Sequence, residues 1–280
     1  MQSAITLEGA AERSDRDVPQ CLSVIIPAFN EEGVIANTVR ALVTKLDGTR
    51  LDYELLIIND GSSDRTEQMV TELEVLFPEV RHLNNPSPHG YGYAVRLGLA
   101  HYKGDAVAVV MADGSDSPDD LVRYFQKLRE GYDCVFGHRF TANSRITGYP
   151  FAKAIANRLG NWLIACLIDR RYSDFTNGFK CFRRSVIERM QPLVSGKFNL
   201  TVEMSIKAAL SGARYSVIPN DWTGRKSGES KFLMVRMGRA YLVTIAYCLT
   251  RHWLVRTEPE EHQRGVDISD RPYSGLGSGT

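Results

Sequence analysis

Residues 22–64 read LSVIIPAFNEEGVIANTVRALVTKLDGTRLDYELLIINDGSSD. The runs at Leu22–Ile26 and Tyr53–Ile58 are apolar almost throughout, the pattern of strands covered on both faces. Between them Val34, Ile35, Thr38, Leu42 and Leu46 recur near a 3.6-residue period, as on one face of a helix. Pro27 ends the first strand, and Asn30-Glu31-Glu32 is expected to open the helix with capping chemistry and first-turn acids.

The same alternation continues outward. Asp60-Gly-Ser-Ser-Asp turns into a second helix through Phe77, followed by a short strand at Val80–Leu83. Gly90–Tyr102 reads as helix, Ala106–Met111 as strand, Asp119–Glu130 as helix and Asp133–Phe136 as strand. Strands alternating with helices of this length imply an α/β chain with a doubly wound, mostly parallel sheet. Such sheets bind ligands at the carboxyl ends of their strands, near the switch in strand order. The second half is less regular: helices are expected at Pro150–Ile168 and Leu200–Ser211, a strand at Arg214–Ile218, and an amphipathic helix at Lys231–Leu254. Residues 1–20 read as a mobile arm, 21–230 as the folded domain, 231–255 as the amphipathic helix, and 256–280, rich in Gly, Ser and acids, as a disordered tail.

With 43% hydrophobic and 24% charged residues among 280, collagen-like, disordered and disulfide-scaffold classes are excluded. The net charge of +1 conceals a division: residues 1–138 carry −10 and residues 139–280 carry +11. Such polarity fits a molecule that meets both a cation and something anionic. Five scattered cysteines without a CxxC pair argue against a disulfide framework and a thiolate zinc site, and favour a reducing cytosol. The N-terminus lacks a basic stretch followed by an apolar one, so no secretory signal is expected. The longest apolar run, Ala240–Leu249 flanked by Arg236, Arg239 and Arg251, is shorter than the ~20 residues that span a bilayer.

Three acidic clusters follow the expected strands: Pro27-Ala-Phe-Asn-Glu-Glu, Asn59-Asp-Gly-Ser-Ser-Asp and Met111-Ala-Asp-Gly-Ser-Asp-Ser-Pro. Each alone is compatible with ordinary turn chemistry; three on one sheet edge point to a site. The G-x-G-x-x-G dinucleotide fingerprint is missing after the first strand. Gly90-Tyr-Gly, opening a helix, could cradle a phosphate or simply allow tight packing. Arg225-Lys-Ser-Gly-Glu-Ser-Lys lacks Walker A spacing. Asp113 and Asp116, on a Gly/Ser loop, offer hard oxygens that suit Mg²⁺ or Mn²⁺ on a diphosphate. Asp116 or Ser117 could instead cap a helix with Pro118 at its first position.

In order, VIIPAFNEE, IINDGSSD, VVMADGSDSP, FGHRF, DFTNGFKCFRR, NLTVEMSIKA and GRKSGESK resemble family 2 glycosyltransferases of GT-A fold, closest to the dolichyl- or polyprenyl-phosphate mannose synthase type. The resemblance runs from about residue 22 to 235. It implies a GT-A catalytic domain with a C-terminal acceptor region. Pro27, Phe29, Glu31 and Asp60 would line the nucleotide pocket, with Asp60 accepting from the imide N–H of uracil or guanine. The family's metal motif is Asp-x-Asp; here Met111 holds its first position, leaving Asp113 and, further on, Asp116 as candidate ligands for Mg²⁺ or Mn²⁺. Arg225 and Lys231 match a loop that closes over the donor phosphates, with Gly228 as its hinge. Arg139 and Lys180 match acceptor-binding positions, Asp174 an acceptor-side position where it would hold that loop or a sugar hydroxyl, and His138 reads as packing or a secondary contact. Glu203 matches the acceptor-side acid, for which the bland reading is an exposed helix acid. A sugar hydroxyl acceptor needs such a base; a lipid phosphate, with a second pKa of about 6, does not.

The expected activity is therefore an inverting transfer of a hexosyl unit, mannose or glucose, from a GDP- or UDP-sugar to a polyprenyl phosphate. The alternatives are a sugar hydroxyl acceptor in polysaccharide assembly, and a non-catalytic nucleotide-sugar binding subunit suggested by Met111. The final helix, with basic residues among aromatics and aliphatics, is expected to lie on the cytosolic membrane face, where a small membrane protein could join it. No nucleic-acid recognition module is present.

Overall fold

In the computed structural model, which describes residues 18–149, 151–223 and 234–257, the strand–helix alternation of the first half is realised. β1 (Cys21–Ala28), β2 (Asp52–Asn59), β3 (Val80–Asn84), β4 (Ala106–Val109) and β5 (Cys134–His138) are separated by α1 (Ile35–Asp47), α2 (Thr66–Leu76), α3 (Tyr91–His101) and α4 (Pro118–Arg129). The second half contributes β6 (Ile146–Thr147), α5 (Phe151–Leu167), β7 (Lys180–Arg183), α6 (Arg184–Arg189), α7 (Leu200–Leu210), β8 (Tyr215–Pro219), β9 (Trp222–Thr223) and α8 (Met234–Thr257). The expected arm up to residue 17, the tail from 258, and the Arg225–Lys231 segment with Gly228 lie outside the described residues.

Among the described residues a seven-stranded sheet runs β3-β2-β1-β4-β7-β5-β8, beside a two-stranded β6-β9 ribbon. It is mostly parallel, because β1 pairs in parallel with β2 and β4, β2 with β3, and β5 with β8. Side chains of β1 alternate between two cores. Val24 and Ile26 pack with α1 residues such as Val39 and Leu42 and α4 residues such as Leu121 and Phe125. Ile25 faces the other way, into a core with Val95 of α3, Ile206 of α7 and Ile245 of α8. Each fully buried aliphatic of this kind contributes about 1.5–3 kcal/mol relative to exposure.

The register brings the three acidic strand-end loops together. Ala28 is opposite Asn59, Ile25 is opposite Val109, and Val110 N–H continues the ladder by donating to Ile25 O at 3.0 Å. The loops 29–34, 60–65 and 110–117 therefore leave one edge of the sheet at the β1/β4 switch, where an open α/β sheet places its ligand.

Two expectations are corrected. The helix does not open at Asn30: that residue has φ 55°, its side chain reaches the next loop, and α1 begins only at Ile35. Residues 180–183, read with no element of their own, form β7, which lies antiparallel between β4 and β5. A four-residue strand with a cation at each end carries no periodicity by which to be found; its partners, not its pattern, create it.

Candidate active site

The first two loops clasp one another through local polar chemistry. Asn30 N donates to Ser62 Oγ at 3.0 Å, Glu31 N to Thr66 Oγ1 at 2.8 Å, and Ser63 N to Asn30 Oδ1 at 2.8 Å. Glu32 Oε2 accepts from Arg65 N and Nε at 3.0 and 3.2 Å. Satisfying these loop amides holds the edge open as a shaped surface rather than a collapsed one. Pro27 is buried at the strand end, Glu31 is half-buried, and the Phe29 ring stands 56% exposed, an unusual position for so large an apolar group. Asp60 is 5% exposed. Its Oδ1 accepts from Asn85 Nδ2 at 2.6 Å and its Oδ2 from Gly90 N at 2.8 Å, with His89 Nδ1 3.4 Å from Oδ1. A carboxylate so held has one fixed orientation while each oxygen keeps accepting capacity.

The third loop separates its two acids. Asp113 is half-buried, and its Oδ1 accepts from Ser115 N at 3.0 Å. Asp116 is only 6% exposed, and its Oδ2 accepts from Met111 N at 2.9 Å. Burial pushes the Asp116 carboxyl up to about 7, with Asp113 adding to the shift and the Met111 N–H and Arg139 opposing it. Asp116 thus braces the loop on which Asp113 sits. Neither it nor Ser117 caps α4 by a side-chain bond, although Pro118 does occupy the first turn. Asp113 has the hard oxygen and partial exposure that suit a divalent cation on a diphosphate, while Asp116 is enclosed and bonded to the backbone of the same loop. Among the described residues no group of three or more His, Cys, Asp or Glu converges on one point.

Just past the end of β5, Arg139 and Asp174 meet each other. Arg139 N and Nε donate to Asp174 Oδ2 at 2.9 and 3.0 Å, and Nη2 to Oδ1 at 2.8 Å. Nη2 also reaches Thr176 Oγ1 at 3.2 Å, and Thr176 is tied to Asn157 and Asn161 of α5. Tyr172 OH closes the loop on Gly137 O at 3.1 Å and on Asp174 O. The pair therefore pins the 172–177 loop to the end of β5. Lys180, expected at the acceptor, is 1% exposed and donates to the carbonyls of Phe175 and Asn177. Burial pushes its ammonium down to about 7 against the pull of Asp174. In this conformation it is a buried brace, not a surface cation. His138 accepts at Nδ1 from Phe140 N at 3.1 Å, which leaves its Nε2 as donor to Ser173 Oγ at 2.8 Å.

Glu203 is neither exposed nor open to a substrate. It is 0% exposed; its carboxylate accepts from Val194 N, from Ser195 N at 2.8 Å and from Lys207 Nζ at 2.6 Å. Burial works against its charge, but the bonds from Lys207, Ser195 and Val194 more than reverse it and hold the carboxyl below its usual range.

The profile of glycosyl transferase family 2 matches residues 23–191, which include all three acidic strand-end loops. The chain belongs to glycosyl transferase family 2. It is 30% identical over 171 residues to the uncharacterized glycosyltransferase YkcC of Bacillus subtilis, covering 61% of this chain and 52% of that protein. It is 27% identical over 219 residues to the glycosyltransferase AglD of Haloferax volcanii, covering 77% and 35% respectively. It thus spans about half the length of the first and about a third of the second. Polyprenol monophosphomannose synthase of Mycolicibacterium smegmatis is 25% identical over 214 residues, 74% of this chain and 79% of that one. The fold matches the crystal structure of glucosyl-3-phosphoglycerate synthase from Mycobacterium tuberculosis in complex with Mn²⁺, UDP and glucosyl-3-phosphoglycerate, with a TM-score of 0.65 and 18% identity over 82% and 80% of the two chains. The architecture is the GT-A fold.

In this family 2 chain the structure adds contacts that the sequence reading did not foresee. Asn85, His89 and Gly90 form the wall behind Asp60. Gly178 lies against Tyr91 and Met111, since a Cβ there would meet Tyr91 OH at 3.3 Å and Met111 Sδ at 3.8 Å. The thioether at the first metal-motif position thus packs against the loop that follows Asp174. The glycines of Gly90-Tyr-Gly resolve toward close packing, because a Cβ on Gly92 would come within 2.4 Å of Ser195 O. Lys197, 108 residues from His89 in sequence, joins this wall by donating to the His89 carbonyl.

Proposed function

We propose that this chain transfers one hexosyl unit, with inversion, from a nucleoside diphosphate sugar to a polyprenyl phosphate. On the donor side, exposed Phe29 offers its face to the base, and Asp60, locked by Asn85 and Gly90, accepts the imide N–H of uracil or guanine. Pro27 and Glu31 complete that wall. Asp113 would hold Mg²⁺ or Mn²⁺, which when bound supplies positive charge for the departing diphosphate. Arg225 and Lys231, outside the described residues, would add cationic neutralisation of the same leaving group. The acceptor phosphate attacks the anomeric carbon from the face opposite the leaving diphosphate, so configuration inverts. Arg139, Asp174 and Lys180 shape the wall it would meet.

One observation carries the choice of acceptor: Glu203, the acid in the acceptor-side position, is enclosed and fully bonded. A sugar hydroxyl needs a base near its proton, whereas a phosphate monoester oxygen is already ionised near neutrality. The similarity to polyprenol monophosphomannose synthase points the same way. Peripheral attachment to a membrane is supported by two outward apolar faces. α8 buries Thr244, Ile245 and Cys248 while exposing Leu242, Val243, Trp253 and Leu254 beside Arg239; α5 exposes Ile155, Leu159, Trp162, Leu163 and Leu167. Among the described residues no helix is long and apolar enough to cross a membrane.

The test is incubation of purified protein with radiolabelled UDP- and GDP-sugars and polyprenyl phosphate, with Mn²⁺ or Mg²⁺ and with EDTA. A lipid-linked sugar that depends on the metal supports the reading; no lipid product from any donor refutes the acceptor. Glu203→Gln with turnover abolished and donor KM unchanged would favour a hydroxyl acceptor instead.

A further inference from the structure

Between α6 and α7 the chain crosses the N-terminus of α3 as a strap, residues 194–199. We propose that this strap, through Lys197, positions Asp60 and so sets the selectivity of the donor-base site; the inference rests on the nucleotide-sugar reading above. Lys197 reaches Asp60 only through the His89–Gly90 peptide, and the strap only through Lys197. They are positioning elements.

The linkage is a single peptide group. Lys197 Nζ donates to His89 O at 2.8 Å, and the N–H of the same peptide unit, Gly90 N, donates to Asp60 Oδ2 at 2.8 Å. Because the unit is planar, fixing its carbonyl end fixes the direction of its N–H. A cationic donor on the carbonyl also polarises the amide and strengthens the N–H as a donor to the carboxylate. Lys197 therefore orients and stabilises Asp60 across one rigid plane.

The strap that delivers Lys197 is itself anchored at four points. Glu203 holds its Val194 and Ser195 amides. Its backbone lies directly on α3, leaving no room for a Cβ at Gly92, which would come 2.4 Å from Ser195 O. The Phe198 ring stacks on Tyr91 at 4.3 Å with planes 25° apart. Asn199 Nδ2 donates to Ser195 Oγ and to Thr244 Oγ1 of α8, both at 2.9 Å. Glu203, buried and without access to a substrate, thereby has a role: it ties the strap to α7.

Lys197 is exposed, so its substitution does not open the core. The experiment measures binding of UDP, GDP and CDP by calorimetry in Mn²⁺, with donor KM and kcat, for wild type, Lys197→Met and Lys197→Arg. CDP is the control, since cytosine has no imide N–H for Asp60 to accept. Lys197→Met is expected to weaken UDP or GDP binding and raise donor KM about 5-fold, the factor equivalent to one net hydrogen bond. CDP binding and kcat at saturating donor should stay within about 2-fold, and Lys197→Arg should recover most of the loss. A merely structural role would lower thermal stability without narrowing the UDP- or GDP-to-CDP ratio. Unchanged UDP and GDP affinity in Lys197→Met, or an equal loss for all three nucleotides, overturns the strap's role alone. Wild type that binds neither UDP nor GDP overturns the donor reading, and the strap proposal with it.

Discussion

Asp174→Ala removes the carboxylate that receives three N–H groups of Arg139 and leaves the guanidinium in place. Both side chains are enclosed, Asp174 at 0% and Arg139 at 8% exposure, so water cannot replace what is lost. Summing three charged hydrogen bonds at about 1.5–3 kcal/mol each would overstate the effect, because much of that energy already offsets the desolvation of the two ions. The relevant quantity is the penalty for an uncompensated buried cation, about 3–5 kcal/mol, a large share of the ~5–15 kcal/mol that typically separates folded from unfolded. Replacing both partners, Arg139→Met with Asp174→Leu, removes the buried charge altogether and should cost less than Asp174→Ala alone. Urea unfolding followed by circular dichroism measures both.

The pH dependence has a definite sign. Burial opposes the Asp174 charge, but Arg139, by its charge and its bonds, holds the carboxyl below its usual range. Its contribution is therefore complete above the unfolded value of about 3.9 and lost only as pH falls through the lower folded value. Lys180, whose ammonium is pushed down to about 7 against the pull of Asp174, is charged at pH 5 and mostly neutral at pH 8, so the penalty of Asp174→Ala should be larger at pH 5 than at pH 8. A loss under about 1 kcal/mol, or a double variant less stable than the single, would refute the treatment of this contact as a desolvated ion pair.

Phe29→Ala should raise donor KM by roughly 5- to 150-fold, the range that corresponds to the ~1–3 kcal/mol of a base on an aromatic face, with little change in thermal stability because the ring is exposed. An unaltered KM would remove Phe29 from the base site. Gly137→Ala places a Cβ 2.2 Å from Tyr124 OH, 2.6 Å from Asn220 Oδ1 and 2.7 Å from Asn177 Nδ2, and should cost about 1–3 kcal/mol in urea unfolding. Asp116→Asn tests the raised carboxyl. A group with folded pKa about 7 lowers stability as pH rises from about 4 toward 7, so the variant's melting temperature relative to wild type should be more favourable at pH 8 than at pH 5.5 without added metal. Equal differences at both pH values would contradict the enclosure of that group.

The parallel half of the fold was legible because its signals are local. Apolar runs such as Leu22–Ile26, helical periodicity from Val34 to Leu46 and Asp-Gly turns at strand ends each declare themselves within about a dozen residues. The three acidic strand-end loops could be read for the same reason, and the structure brings Phe29, Asp60 and Asp113 to one sheet edge. Partnerships could not be read. Arg139 and Asp174 were each assigned separately to an acceptor, yet they are 35 residues apart in sequence and bind each other. Lys180 and Glu203 were placed at the acceptor by resemblance alone, and whether such a charge faces a ligand or a buried partner depends on packing across the chain. Asn30 illustrates a competition between local rules, since its side chain could cap α1 and instead bridges to Ser63.

The antiparallel strand between β4 and β5 has a consequence for how the chain is made. β7 follows both its neighbours in sequence, so during synthesis the β4 edge waits for residues 180–183, roughly 4–15 s at ordinary ribosomal rates. Until then Ala106–Val109, a short apolar strand, has one side of its ladder unpaired, the kind of edge through which nascent chains associate. β5 cannot join the sheet without β7, and β8 is carried on β5. A truncation ending anywhere between β5 and β7 therefore does not yield a smaller version of this domain but an open half-sheet, and completing the sheet takes the chain through Pro219.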